Sequence, residues 1–96
     1  MPDDFVMEVV RRLRLSNGLD DETAFDSMLE DFTKQAADDL AVAGVEFEDA
    51  GNVPAYQNAL MAYANAFFNI NNPKLYDALM ANYSQLVLDL QKEVTR

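Results

Sequence analysis

The chain has 96 residues, half of them hydrophobic, and a net charge of −10. This length leaves room for one domain with a single core, and the hydrophobic content is too high for a disordered segment. Cysteine and histidine are both absent, which excludes disulfides, thiolate nucleophiles, and the commonest general base and transition-metal ligand. We therefore expect residues 1–96 to form one domain that is not an enzyme.

Most of the acidic residues lie in one part of the chain. Residues 20–49 hold eleven Asp and Glu but a single basic residue, Lys34, so this segment carries the whole net charge. Because binding to a phosphate backbone depends on Lys and Arg, we expect no tight nucleic-acid binding. The basic residues cluster instead at Arg11, Arg12 and Arg14, either as cations that complement the end of a helix or as a docking site for an acidic partner.

Capping and turn residues bound the first two predicted helices. An aspartate at residue 3 or 4 caps a short first helix, which the Ser-Asn-Gly sequence of residues 16–18 ends. An aspartate at residue 20 or 21 opens a long second helix, which ends at Gly44. The apolar positions of both helices recur every three or four residues, as in helices with one buried face. They are Val6, Val9, Val10 and Leu13 in the first helix and Phe25, Leu29, Phe32, Ala36, Leu40 and Ala43 in the second.

Two further helices follow a loop. Residues 45–53 contain turn residues without a sustained period, so we expect a loop with at most a short turn of helix. Pro54 suits the first position of a third helix, and Asn72 with Pro73 starts a fourth helix that runs to about Val94. The apolar positions are Tyr56, Leu60, Tyr63, Phe67 and Ile70 in the third helix and Tyr76, Met80, Tyr83, Val87, Leu90 and Val94 in the fourth.

These elements predict an all-α fold, a compact antiparallel bundle of about four helices, one short and three longer. The apolar face of the fourth helix is widened by Leu75, Leu79 and Leu86, so this helix is expected to have two neighbours. No run of residues is apolar and long enough to cross a bilayer. The three leucines, together with the three arginines, are the candidate interface residues.

No catalytic, metal-binding or cofactor-binding site is indicated. Acidic residues are adjacent at positions 20–22, 30–31 and 38–39, but none of these groups has the alternating oxygen ligands and central glycine of a calcium-binding EF-hand loop. The three glycines stand singly, so no glycine-rich loop is present to cradle a phosphate. We interpret the acidic groups as solvated helix surface and expect neither a metal nor a cofactor.

One short motif indicates a different function. Asp26-Ser27-Met28 resembles the site at which acyl and aminoacyl carrier proteins receive phosphopantetheine. A carrier needs this serine exposed at the start of a helix after a long loop, whereas the predicted second helix begins several residues before Ser27. The carrier is therefore an alternative, and a small acidic regulatory or antitoxin-like protein that binds a basic partner is another.

Several features of the chain occur in a recognisable order. The first helix closes on Leu-Arg-Leu-Ser-Asn-Gly at residues 13–18, and an acidic turn follows at residues 20–22. A long helix then contains residues 29–37, and after a loop another helix begins at Pro54 and passes through residues 59–69. This order resembles the small head-to-tail connector proteins of long-tailed bacteriophages and prophages, which are often labelled DNA-packaging proteins.

The resemblance implies a ring of identical subunits beneath the portal of a filled capsid. Such a ring extends the DNA channel and presents a surface to the next head-completion or tail protein, and a carboxylate-rich surface suits a channel that DNA passes without binding. It implies a location in the virion or in the cytoplasm of a bacterium that carries the prophage. Arg11, Arg12 and Arg14 would pair with acids of the neighbouring subunit and close the ring.

The chain departs from the connector pattern at one place. The third helix of that family typically ends in an aromatic-asparagine-arginine group. Phe68-Asn69-Ile70-Asn71 matches this group only in part, because the arginine is missing.

Overall fold

The computed structural model describes residues 1–94, which contain helices and no strand. Four helices of 14 to 22 residues make up the domain, with one single-turn helix between the second and third of them. They are α1 (Asp3–Ser16), α2 (Asp26–Val42), α3 (Phe47–Ala50), α4 (Pro54–Phe68) and α5 (Pro73–Val94). The predicted all-α class is confirmed, and α3 is the short turn of helix expected within residues 45–53.

The ends of α1 and α2 follow from their glycines. Gly18 and Gly44 have left-handed φ angles of 69° and 88°, which glycine adopts without the steric cost that a Cβ would bring. After α2, the N–H of Val45 donates to the carbonyl of Leu40 at 2.8 Å, so the reversed chain closes the last helical turn. Both predicted helix ends are confirmed.

The predicted start of α2 was wrong. Residues 19–25 are not helical, and α2 begins at Asp26, with Phe25 as its N-cap residue. The acidic turn stabilises this loop instead of a helix: the carboxylate of Glu22 accepts a hydrogen bond from the N–H of Ala24 at 3.0 Å. Phe25 then packs edge-on against Phe68, with the ring centroids 5.6 Å apart. The loop therefore covers one end of the bundle.

Helix α4 is the central element, because it packs against α1, α2 and α5. Its buried side chains point to several sides, and four of the six are alanines, which allow neighbouring helices to approach closely. They are Tyr56, Ala59, Leu60, Ala62, Ala64 and Ala66. The helix ends at Phe68, so Ile70, which we predicted to extend its apolar stripe, lies beyond the helix and is exposed.

Helix α5 packs against α4 and, less extensively, against α3, as its wide apolar face predicts. The carboxamide of Asn72 caps its first turn by accepting a hydrogen bond from the N–H of Leu75 at 3.2 Å. Only Tyr83 and Leu90 of α5 are fully buried. The described chain measures 40 × 31 × 18 Å, so it is little more than two helices thick along its shortest axis, and α5 keeps much of its surface open.

Candidate functional site

The predicted interface residues Arg11 and Arg12 lie on the exposed side of α1, and both pair with the same acid. The guanidinium of Arg11 lies 2.7 Å from the Glu8 carboxylate, and that of Arg12 lies 3.1 Å from it. These hydrogen bonds hold the pKa of Glu8 at about 2, below its ordinary value of 4.5. One carboxylate therefore balances one of the two positive charges within a helix turn.

Arg14, the third arginine, has a different position. Its side chain is mostly buried, and its Nε lies 3.2 Å from Oδ1 of Asp26 as an ion pair whose angle does not suit a hydrogen bond. Its Nη1 donates to the carbonyl of Asp20 at 3.2 Å. Arg14 therefore fixes the α1–α2 loop to the start of α2, and it is less available to another subunit than Arg11 and Arg12.

The three predicted leucines of α5 lie on one flank of that helix. Leu75, Leu79 and Leu86 follow each other at i, i+4 and i+11, which places them on the same side. Leu79 and Leu86 are half-buried, while Leu75 is exposed. The structure thus brings the leucines together, but it places them away from the paired arginines of α1.

A shallow groove runs along this flank between α4 and α5. Its volume is about 280 Å³. The apolar lining comes from Met61 and Ala62 of α4 and from Leu79 and Leu86 of α5, and asparagine side chains form the polar part. These asparagines are Asn58, Asn65 and Asn82. We call this the α4/α5 groove. An apolar floor with amide groups around it is the composition of many protein interfaces.

A second, larger groove was not predicted from the sequence. It has a volume of about 390 Å³ and lies where α2, α3 and α4 meet the N-terminal end of α1. Phe47 and Tyr56 form an aromatic wall, and Asp38, Glu46 and Glu48 supply carboxylates. We call this the acidic groove. In the sequence, Val45 and Phe47 alternate with Glu46 and Glu48. Only the fold brings Asp38 and Tyr56 to the same groove as Phe47.

Because α2 begins at Asp26, the Asp26-Ser27-Met28 motif lies at the start of a helix and not inside one. Ser27 is the second residue of α2, follows a loop, and is exposed, whereas the sequence predicted it inside a helix. Met28 is also exposed, and Asp26 is held by Arg14. The position of Ser27 is therefore compatible with a carrier, although only one helix precedes it.

Searches for chemical sites and for relatives found nothing further. Within residues 1–94, no group of three or more acidic side chains is placed to hold a metal ion, and no described helix has the length and apolar character needed to cross a membrane. A scan against protein-family models, a search of curated proteins and a search of solved structures each found no match to this chain.

Proposed function

We propose that this protein is a non-enzymatic assembly subunit that joins a phage or prophage head to its tail, as the resemblance to connector proteins suggests. It would form a ring of identical subunits under the portal and bind the next head-completion or tail protein. The observation that carries the proposal is the α4/α5 groove, because it leaves the apolar side chains of Leu79 and Leu86 incompletely covered within a concave surface.

The shape of α5 supports this role. At 22 residues it is the longest helix of the described chain, yet only Tyr83 and Leu90 of its side chains are buried. The flank that carries Leu75, Leu79 and Leu86 is rimmed by polar amides, which is typical of surfaces that become buried on association. A neighbouring subunit that inserted a helix here would cover the leucines and could hydrogen-bond to the exposed amides of Asn58 and Asn82.

The charge distribution also suits the proposal. Acids of α2 and of the loop before it are exposed, among them Asp20, Asp21 and Asp31, and carboxylates repel phosphates, so a channel lined by such a surface would let DNA pass. Because Arg11, Arg12 and Arg14 already have acidic partners within the chain, we expect the subunit contacts to depend more on the apolar flank than on ion pairs.

The test is the assembly of the purified protein alone and with the portal protein encoded in the same genome. Asn82→Arg places a charge on the rim of the groove, and Ser84→Arg places the same charge on an exposed position on the opposite side of the same helix. We expect sedimentation velocity to show a ring or portal complex that Asn82→Arg abolishes and Ser84→Arg preserves, at equal melting temperatures. Assembly that tolerates Asn82→Arg but disappears in high salt would contradict this interface.

The carrier is the second candidate function, and the exposed position of Ser27 at the start of α2 favours it. An assembly subunit and a carrier differ in whether Ser27 is modified, so the two proposals are separated by one reaction, which is described in the Discussion.

A further inference from the structure

The acidic groove holds an aromatic side chain with an unused polar atom. Tyr56 is 1% exposed and lines the groove. Its ring packs against Phe47 and Phe5, with centroid distances of 5.9 and 6.3 Å. No described residue shares a hydrogen bond with its hydroxyl, and this oxygen is not one of the buried side-chain atoms that lack a partner, so it stays in contact with solvent in the groove. The groove is therefore a place where an incoming polar group would gain a hydrogen bond.

The charge around this hydroxyl is negative and largely unbalanced. Burial, followed by the nearby carboxylates of Glu48, Glu46 and Asp38, raises the pKa of Tyr56 to about 12, so the hydroxyl stays protonated at neutral pH. Lys34 and Met1 also line the groove, and the ammonium of Lys34 pairs with the carboxylate of Glu30 at 3.0 Å. Within residues 1–94, none of the three carboxylates forms an ion pair, so their charge is available to a ligand.

We infer that the acidic groove binds an arginine side chain of a partner protein. A guanidinium stacks on an aromatic ring, donates to carboxylates in two directions and can donate to the free lone pair of a tyrosine hydroxyl. A volume of about 390 Å³ is large enough to admit such a side chain. The described acids do not converge closely enough to hold a metal ion. An extended organic cation therefore suits the separation between the carboxylates of the groove better than a metal ion does.

The arginine comes from a different protein and not from a second copy of this chain. Of the four arginines of the chain, Arg11 and Arg12 share Glu8, Arg14 is mostly buried against Asp26, and Arg96 lies outside the described residues. A net charge of −10 also opposes self-association through an acidic surface and favours a basic partner. This inference concerns a surface separate from the α4/α5 groove, and it holds whether or not the protein forms a ring.

The binding test uses N-acetyl-arginine methylamide as the probe and the corresponding citrulline compound, which has the same shape without the charge, as its control. Amide chemical shifts of the full-length protein are recorded during titration at constant ionic strength. We expect saturable shifts at Ala37, Ala41 and Glu48 with the arginine compound and none with citrulline. Equal shifts with both compounds, or shifts spread over the whole acidic surface, would overturn the inference.

Matched variants separate the groove from general acidity. Asp38→Asn with Glu48→Gln removes two charges from the groove, and Asp21→Asn with Asp77→Asn removes two exposed charges elsewhere. We expect the groove variant to bind the probe about tenfold more weakly, as loss of charge-assisted contacts predicts, and the control to bind normally. Equal weakening by both pairs would show that only net charge matters.

Two more measurements address the hydroxyl and the identity of the occupant. Tyr56→Phe should lower the affinity for the arginine compound by roughly twofold to threefold. It should leave the melting temperature unchanged, because the hydroxyl has no partner in the free protein. Unchanged probe binding by this variant would remove the hydroxyl from the site. If the same amide resonances shift when the free protein is concentrated, and either Arg96→Gln or the pair Arg11→Gln with Arg12→Gln stops this, the occupant is a second copy and the inference is wrong.

Discussion

The hydroxyl of Tyr83 donates a hydrogen bond to Oδ2 of Asp39 at 2.5 Å, and this bond joins α5 to α2. Tyr83 is 3% exposed, while Asp39 belongs to the acidic face of α2. A second link runs the same way, since the carboxamide of Gln91 donates to the carbonyl of Ala43 at 2.9 Å. The longest helix is therefore attached to the acidic helix by polar contacts near the end of α2.

Replacing Tyr83 with Phe removes this bond and leaves the ring in place. Hydrogen bonds to charged groups contribute about 1.5–3 kcal/mol, and Asp39 can regain water, so we expect a loss near the lower figure and a fall of several degrees in melting temperature. Thermal unfolding followed by circular dichroism measures it. Tyr76→Phe is the matched control, because no described residue bonds to the Tyr76 hydroxyl. If both variants lost the same amount of stability, the hydrogen bond between Tyr83 and Asp39 would not contribute to the stability of the fold.

Two tyrosines should make the fold sensitive to alkaline pH. Burial raises the pKa of Tyr56 to about 12, and burial together with the Asp39 bond raises the pKa of Tyr83 further above its ordinary value of 10.0. Since both folded-state pKa values are raised, the stabilisation is fully present below pH 10 and is lost as the pH rises through about 12. We expect tyrosinate absorbance from these two residues to appear only as the protein unfolds. Their ionisation near pH 10 with the helices intact would contradict this.

Arg14→Ala should destabilise the protein more than Arg11→Ala. The Arg14–Asp26 pair is mostly buried and also fixes the loop through the carbonyl of Asp20, whereas the Arg11–Glu8 pair is exposed. We expect a loss of roughly 1–2 kcal/mol for Arg14→Ala, between the values for exposed and buried pairs, and a much smaller loss for Arg11→Ala. Urea unfolding of both variants gives the comparison. Similar midpoints would show that the loop does not depend on Arg14.

Glu8 should titrate as an unusually strong acid. The hydrogen bonds from Arg11 and Arg12 hold its pKa at about 2, and a depressed folded-state pKa stabilises the protein above the ordinary value of 4.5 and loses that effect as the pH falls towards 2. Carboxyl carbon shifts measured during acid titration should give Glu8 a pKa well below 4.5. In Arg11→Ala with Arg12→Ala the pKa should return towards 4.5, and a value unchanged by the double substitution would exclude the arginines as the cause.

Ser27 should remain unmodified by a phosphopantetheinyl transferase with coenzyme A. Only one helix precedes Ser27, and Asp26 is held by Arg14 and is not free to approach an enzyme. Intact-mass spectrometry should show no gain of the phosphopantetheine arm. A stoichiometric gain that Ser27→Ala abolishes would replace the assembly proposal with the carrier, and a known carrier protein in the same reaction confirms that the transferase is active.

The sequence predicted the helices from local features that act within a few residues. Gly18 and Gly44 stop helices because of their left-handed backbone, and Pro54 and Asn72 start them because of a missing N–H and a capping carboxamide. The flank of Leu75, Leu79 and Leu86 was also predictable, since the helical repeat alone places them together. The start of α2 was not, because aspartates at residues 20 and 21 suit a turn as well as a helix cap.

The contacts between distant residues were decided only by tertiary structure. The carboxamide of Asn17 donates a hydrogen bond to Asn65 at 2.7 Å and accepts one from Asn69 at 3.1 Å. A residue that the sequence predicts only as the end of a helix therefore also joins α1 to α4. The acidic groove likewise combines Asp38 with Tyr56, which lie on different helices. Periodicity specifies which side of a helix is apolar, but it does not specify which residues of another helix face that side. That choice depends on how the side chains of all the helices pack together.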